Sequence, residues 1–93
     1  MSLAPPVAFD AHAPWQLSAE VSLRDEAFGA LAYHHGNRRL VFLKSPALVD
    51  IVRDLEKFHT AADAISAHVA PTQQGAYERA LASLARSEII HGR

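Results

Sequence analysis

The feature that most constrains the fold of this chain is a hairpin in which both strands are apolar. The apolar runs at residues 28–33 and 40–43 flank Gly36-Asn37, which suits a two-residue type II′ turn because glycine tolerates positive φ at its first central position. In this register the facing pairs are all apolar: Tyr33–Leu40, Ala32–Val41, Leu31–Phe42 and Ala30–Leu43. Facing apolar pairs stabilise an antiparallel ladder, so they support the register independently of the turn.

The later strand of this hairpin, residues 39–44, is the candidate binding element. A two-residue turn directs the main chain of Leu40 and Phe42 back to the preceding strand. It leaves the main-chain groups of Arg39, Val41 and Leu43 pointing outward. No later segment predicts a strand that could pair with them. An unpaired strand edge is a site where an extended peptide can add as a further strand.

The opposite interpretation is that this strand is central and covered on both sides, as doubly apolar strands often are. Two observations favour an open edge. Arg39 and Lys44 flank the apolar run, and charges at such positions guard edge strands. The alternation of apolar and polar side chains over residues 17–24 predicts a first strand with one wet face, which fits a meander in which it pairs with the second strand.

The remaining segments predict a tail and three helices. Residues 1–14 hold three of the five prolines and no hydrophobic period, which predicts a flexible tail that could cover the open edge. Local signals mark the other boundaries: a turn at Asp25-Glu26, helix starts at Ser45-Pro46 and at Thr60 with Asp63, and a break at Pro71-Thr72.

This element order predicts one α+β domain over residues 15–93. A three-stranded antiparallel sheet is followed by a three-helix bundle in a winged-helix-like layout, and the apolar face of the sheet must pack on the helices. On the third helix, Tyr77, Leu81 and Leu84 share an apolar stripe, and Ile89-Ile90 is expected to fold back on the core.

The composition argues against several kinds of site. The 93 residues carry a formal net charge of −1 and no cysteine, which excludes a thiolate metal site or an iron–sulfur cluster. The six histidines lack helical zinc spacing, and neither a nucleophile elbow nor a phosphate loop is present. We therefore expect no catalytic residue, no metal and no cofactor. No apolar run is long enough to span a bilayer, so the expected location is cytoplasmic.

Three other interpretations stay open at this stage. Asp50 and Asp54 lie one helical turn apart and could chelate a cation, although Arg53 and Lys57 beside them favour a solvated face. The third helix could be the recognition helix of a small winged-helix-like DNA-binding regulator, although its charges nearly cancel. The exposed edges of two copies could also pair, so the chain would be a monomer or a weak dimer.

The hairpin and the helix start after it resemble a known family. The string F-G-A-L-A-Y-H-H-G-N-R-R-L-V-F-L-K-S-P-A-L-V is similar to the PqqD-like peptide chaperones, also called precursor-peptide recognition elements. Within them it most resembles the mycofactocin-system chaperones. The similarity covers residues 15–90 and is most specific over residues 28–46.

The resemblance implies a non-catalytic protein that binds the leader of a ribosomally made precursor peptide. The implied partners are that peptide and a radical S-adenosylmethionine maturase, with no nucleic acid and no membrane. In such proteins the peptide adds to the third strand, which here comprises Arg39, Leu40, Val41, Phe42, Leu43 and Lys44. The groove beside it would be closed by the third helix through Tyr77, Leu81 and Leu84, or by the start of the first helix near Leu48.

Overall fold

The structure of the chain is a computed structural model that describes residues 9–93. The strands are β1 (Trp15–Leu17), β2 (Val21–Glu26), β3 (Gly29–His34), β4 (Leu40–Leu43) and β5 (Ile90–Gly92). The α-helices are α1 (Pro46–Asp54), α2 (Ala61–His68) and α3 (Gln74–Arg86), and short 3-10 helices at Leu55–Lys57 and Pro71–Gln73 precede α2 and α3. A three-stranded antiparallel sheet followed by three helices confirms the predicted α+β fold.

The main sheet is a meander in the order β2-β3-β4, so β4 lies at an edge. The β3–β4 register is the predicted one, with Tyr33 opposite Leu40 and Ala30 opposite Leu43. The predicted turn at Asp25-Glu26 is wrong, because both residues belong to β2 and pair with β3. The turn lies at residues 27–28, and the long first strand of the sequence prediction is divided into β1 and β2.

A second sheet, which the sequence did not predict, joins the two ends of the described chain. β1 pairs antiparallel with β5, and Leu17 stands opposite Ile90. A strand therefore does follow the hairpin, contrary to the expectation that none would. It pairs with β1 and not with β4, so β4 keeps one edge without a neighbour among residues 9–93.

The loop between β3 and β4 differs from the predicted two-residue turn. The N–H of Arg38 donates to the carbonyl oxygen of His34 (2.7 Å), and the N–H of His34 donates to the carbonyl oxygen of Arg39 (2.9 Å). These bonds enclose a four-residue loop, 35–38. Arg38 takes the left-handed conformation (φ 64°), whereas Gly36 has no positive φ. The type II′ prediction is therefore wrong, although the register is unchanged.

The helix starts follow the predicted capping signals. The Ser45 hydroxyl accepts a hydrogen bond from the N–H of Leu48 (3.2 Å), and Pro46 occupies the first turn, where no N–H is needed. The Thr60 hydroxyl accepts from the N–H of Asp63 (3.1 Å). Because Ser45 follows β4 by two residues, its cap fixes where the chain leaves the sheet and α1 begins.

The core lies between the inner face of the main sheet and the three helices. Its largest fully buried side chains are Leu43, Ile51, Val52, Leu55, Ile65, Leu81, Ile89 and Ile90. Ile89 and Ile90 fold back on the core as predicted. Ala30 and Ala32 of β3 have no exposed surface, and their small side chains let α1 approach the sheet closely.

Part of the predicted tail packs on the domain. The carbonyl oxygens of Ala11 and Ala13 accept hydrogen bonds from the first N–H groups of α2, and the Phe9 ring lies 4.9 Å from the Trp15 ring. Residues 9–14 are thus held at the start of α2 and against β1. The rest of the predicted tail, residues 1–8, lies outside the described residues.

Gly29 gives the fold a sharp stability test. Its φ is +149°, and a Cβ there would lie 2.0 Å from the carbonyl oxygen of Leu43. We expect Gly29→Ala to lower the free energy of unfolding by at least about 2 kcal/mol, measured by urea denaturation. Gly75→Ala is the matched control. It lies in the first turn of α3 and should leave stability unchanged or raise it by about 0.5 kcal/mol. Equal stability of the two variants would contradict this account of β3.

Candidate functional site

The unpaired edge of β4 exposes the main-chain groups of Leu40 and Phe42. The His34 N–H bonds to the Arg39 carbonyl, so residues 34 and 39 form a hydrogen-bonded pair. Such pairs recur at every second position of an antiparallel ladder. Val41 and Leu43 therefore bond back to β3, and the N–H and C=O groups of Leu40 and Phe42 point away from it.

A hydrogen bond on the other side of β3 supports the same assignment. The N–H of His35 donates to the carbonyl oxygen of Glu20 (2.8 Å), so the odd-numbered residues of β3 bond toward β2. The even-numbered residues are left to bond toward β4. The prediction that Arg39, Val41 and Leu43 carry the outward groups is therefore wrong. A two-residue loop gives one hydrogen-bonding pattern for a given register, and the observed four-residue loop gives the opposite one.

The side chains of β4 divide between the core and the outer face of the sheet. Leu43 is fully buried and Val41 is partly buried against the core. Leu40 and Phe42 are each 55% exposed on the other face. Both outward main-chain positions thus also present a large apolar side chain to solvent.

Sequence reasoning missed an exposed aromatic cluster on the outer face of the sheet. Tyr33 and Phe28 are 36% and 42% exposed, and the Phe28 ring lies 6.0 Å from the Phe42 ring. The alternation of side chains along β3 and β4 could have indicated this cluster. In a strand every second side chain points to the same face of the sheet, so one half of them faces the helices and the other half does not. Apolar residues on both faces of these strands are equally compatible with a covered central strand, so the pattern alone does not indicate exposure.

An apolar groove of about 300 Å³ lies beside the end of β4. Its lining residues are Lys44, Ser45 and Leu48 on one side and Ala76, Tyr77 and Ala80 on the other. The Tyr77 hydroxyl and the Ser45 hydroxyl are hydrogen-bonded at 2.9 Å, which joins the two sides. Both helices that the sequence left as alternatives, the start of α1 and α3, therefore line this one groove.

The predicted wall residues of α3 have different positions. Tyr77 is half-buried and lines the groove, whereas Leu81 and Leu84 are 0% and 4% exposed and pack in the core. Leu81 and Leu84 therefore offer almost no surface to a ligand. Ala76 and Ala80, which the sequence did not single out, take their place because they lie one turn apart beside Tyr77.

The buried ring of His34 holds the loop that precedes β4. Its Nδ1 accepts hydrogen bonds from the N–H groups of Gly36 (3.0 Å) and Asn37 (3.1 Å). The side chain of Asn37 in turn donates to Glu88 (3.0 Å), and its oxygen accepts from the N–H of Arg39 (2.9 Å). These bonds fix the four-residue loop and with it the hydrogen-bonding pattern of β4.

Asp50 and Asp54, the acidic pair that could chelate a cation, have different surroundings. Asp54 binds His68 (2.9 Å) and Lys57 (3.2 Å), and these hydrogen bonds, His68 first, lower the pKa of the Asp54 carboxyl. Asp50 is exposed and does not join them. Within residues 9–93, no group of three or more His, Asp or Glu side chains could hold a metal ion.

A second cavity lies apart from the groove. It has a volume of about 510 Å³ and lies between the β1–β5 sheet, His34 and the end of α3. It shares no lining residue with the groove, and Glu20 and Glu88 give it a polar, acidic wall. Of the helices in the described part, none has the length and apolarity needed to cross a membrane.

A three-stranded meander followed by three helices, with an open edge strand beside an apolar groove, is the arrangement expected of a PqqD-like precursor-peptide recognition element. The sequence profile of the Peptide chaperone MftB family matches residues 14–91. The chain belongs to this family, and its role is that of a peptide chaperone.

Three curated relatives support the assignment. Peptide chaperone MftB from Mycolicibacterium smegmatis is 40% identical over 85 residues, which cover 90% of this chain and 83% of the relative. Proteins of the same name from Mycobacterium ulcerans and Mycobacterium tuberculosis are 39% and 37% identical, and the matches cover 89% and 88% of this chain and 77% and 76% of the relatives. No solved structure matches the chain significantly.

Neighbouring histidines allow a matched test of the loop. His34→Leu removes the acceptor of two main-chain N–H groups, so we expect the free energy of unfolding to fall by about 1–2 kcal/mol in chemical denaturation. His35→Leu alters an exposed ring that hydrogen-bonds to the Ser22 hydroxyl and lies edge-on to the Tyr33 ring (4.8 Å), and should cost about 0.5 kcal/mol. A loss for His35→Leu as large as that for His34→Leu would refute the loop-holding role of His34.

Proposed function

We propose that this chain binds the leader of a precursor peptide as an additional strand on β4 and presents it to a radical S-adenosylmethionine maturase of the mycofactocin system. The observation that carries the proposal is the open edge of β4 at Leu40 and Phe42. Family membership supplies the peptide as ligand, and the edge and the groove suggest how the peptide is held.

The edge can supply the register of the guest peptide. Each of Leu40 and Phe42 offers one N–H donor and one C=O acceptor, so an extended segment can make four main-chain hydrogen bonds. A typical protein hydrogen bond contributes about 0.5–1.5 kcal/mol net, so these bonds alone give weak and sequence-independent binding. Selectivity must therefore come from side chains.

The groove and the outer face can supply that selectivity. The side chains of an added strand alternate between the two faces of the sheet. On the inner side they reach the groove at Leu48, Tyr77 and Ala80, and on the outer side they extend the apolar surface of Leu40 and Phe42. A guest segment with apolar residues on both faces would bury surface on each side of the edge.

The chemistry of maturation belongs to the partner in this proposal. The chain contains no cysteine, so it cannot supply thiolates to an iron–sulfur cluster. Its contribution is to bind and order a disordered leader. Ordering such a segment costs about 2–5 kcal/mol, and the contacts with this chain offset that cost before the maturase acts. A dissociation constant near one micromolar, about −8 kcal/mol, is sufficient for such a handover.

Two substitutions at Phe42 distinguish the contribution of its main-chain N–H to peptide binding from that of its side chain. Phe42→Ala removes the ring and keeps the outward N–H, whereas Phe42→Pro removes both, and proline is tolerated where an edge N–H faces solvent. We expect Phe42→Pro to bind the precursor peptide at least about tenfold more weakly than Phe42→Ala in calorimetric titration, because a guest carbonyl loses its donor. Maturase turnover of the peptide at limiting chaperone should fall in the same order.

Val41→Pro is the control for the direction of the edge. The N–H of Val41 bonds back to β3, so proline there should destabilise the fold, while Phe42→Pro unfolds near the temperature of Phe42→Ala. Equal affinities of Phe42→Pro and Phe42→Ala for the peptide would reject strand addition at β4. A scrambled peptide that binds as tightly as the true sequence would reject selective recognition.

A further inference from the structure

Three cations flank the open edge. Arg38 and Arg39 precede β4, and Lys44 follows it. All three side chains are exposed, and within residues 9–93 none of them forms a salt bridge. Three other cations do have acidic neighbours, Arg24 with Glu26, Arg53 with Asp25 and Lys57 with Asp54, whereas the two arginines of α3 and Arg93 form no salt bridge within residues 9–93, so what distinguishes the three edge cations is their position beside β4.

The positions of these cations match the length of the docking edge. Arg39 and Lys44 are five positions apart in sequence, which is about 16 Å of extended chain. The two outward positions, Leu40 and Phe42, lie between them. Lys44 also lines the apolar groove, so one positive charge stands where a side chain of the guest would enter it.

We propose that the guest recognised at this edge is an acidic peptide, in which carboxylates bracket an apolar stretch of about four residues. This inference rests on the proposed strand addition at β4 and specifies its ligand. One end of the guest meets Arg38 and Arg39 and the other meets Lys44. Both ends of β4 carry positive charge. A guest with carboxylates at both of its ends therefore meets opposite charges whether it adds as a parallel or as an antiparallel strand.

The same charges disfavour a second copy of the chain as the occupant. Two β4 strands related by a two-fold axis pair antiparallel, and when Leu40 of each copy stands opposite Phe42 of the other, Arg38 of each copy comes opposite Lys44 of the other. Like charges facing across a ladder are destabilising. An acidic guest makes the opposite contacts, so charge complementarity favours the peptide over self-association.

The test is a calorimetric titration with the cognate precursor peptide at low salt, about 50 mM NaCl, where screening is weak. We expect Arg39→Glu/Lys44→Glu to bind about tenfold more weakly than the unchanged chain, because two attractive exposed pairs become repulsive. Arg24→Glu is the control: it reverses an exposed charge on β2, at the other edge of the sheet, and should change affinity by less than about twofold.

Salt and a neutral peptide complete the test. At about 0.5 M NaCl the difference between the double variant and the unchanged chain should shrink to less than about threefold. A peptide with every Asp and Glu replaced by Asn and Gln should bind the unchanged chain about as weakly as the true peptide binds the double variant.

The two levels of the proposal fail in different ways. If the unchanged chain binds the peptide and neither salt, the charge reversals nor the neutral peptide alters affinity, the acidic ligand is refuted and strand addition stands. Equal losses for Arg24→Glu and the double variant would refute recognition at this edge. If no peptide binds at low salt, the proposed function itself is refuted.

Discussion

The arrangement of the open β4 edge depends on how the β3–β4 hairpin closes. The hydrogen bond from His34 to Arg39 makes these residues a bonded pair, and the ladder then repeats with a period of two. A two-residue loop with the same strand register would turn the main-chain N–H and C=O of Val41 outward. The side chain of Val41, however, faces the core. The observed loop instead turns the main chain of Phe42 outward, where its ring is also exposed.

The rest of the fold leaves this edge open. Leu43 is fully buried, which anchors the end of β4, and the Ser45 cap starts α1 immediately afterward. Within residues 9–93, the one strand that follows the hairpin is β5, and it pairs with β1. The edge is therefore unpaired for a structural reason, and the core residues packed against its buried side chains hold β4 in an extended conformation.

The sequence predicted pairing better than it predicted closure. Facing apolar pairs determine the strand register, and they can be identified from residue types alone. The sequence therefore predicts the observed pairs Tyr33–Leu40 and Ala30–Leu43. The loop type depends on a left-handed Arg38 and on the ring of His34 accepting two N–H groups. Neither is a propensity signal, and Gly36-Asn37 pointed to a different turn.

The candidate groove shows the same limit. Tyr77, Leu81 and Leu84 form one stripe, but only the packing of α3 decides that Leu81 and Leu84 enter the core while Tyr77 stays at the groove. Leu48, named as a rival wall, lies opposite Tyr77 in that groove because the Ser45 cap places the start of α1 there. β5 is three residues long, too short to stand out as a strand, so the second sheet could not be predicted from periodicity.

Amide hydrogen exchange at β4 tests the central claim most directly. In the free chain, the N–H groups of Val41 and Leu43 should be protected by β3, and those of Leu40 and Phe42 should exchange quickly. Adding the precursor peptide should protect Leu40 and Phe42 and change Val41 and Leu43 little. Tight peptide binding with Leu40 and Phe42 still exchanging quickly would contradict strand addition at this edge.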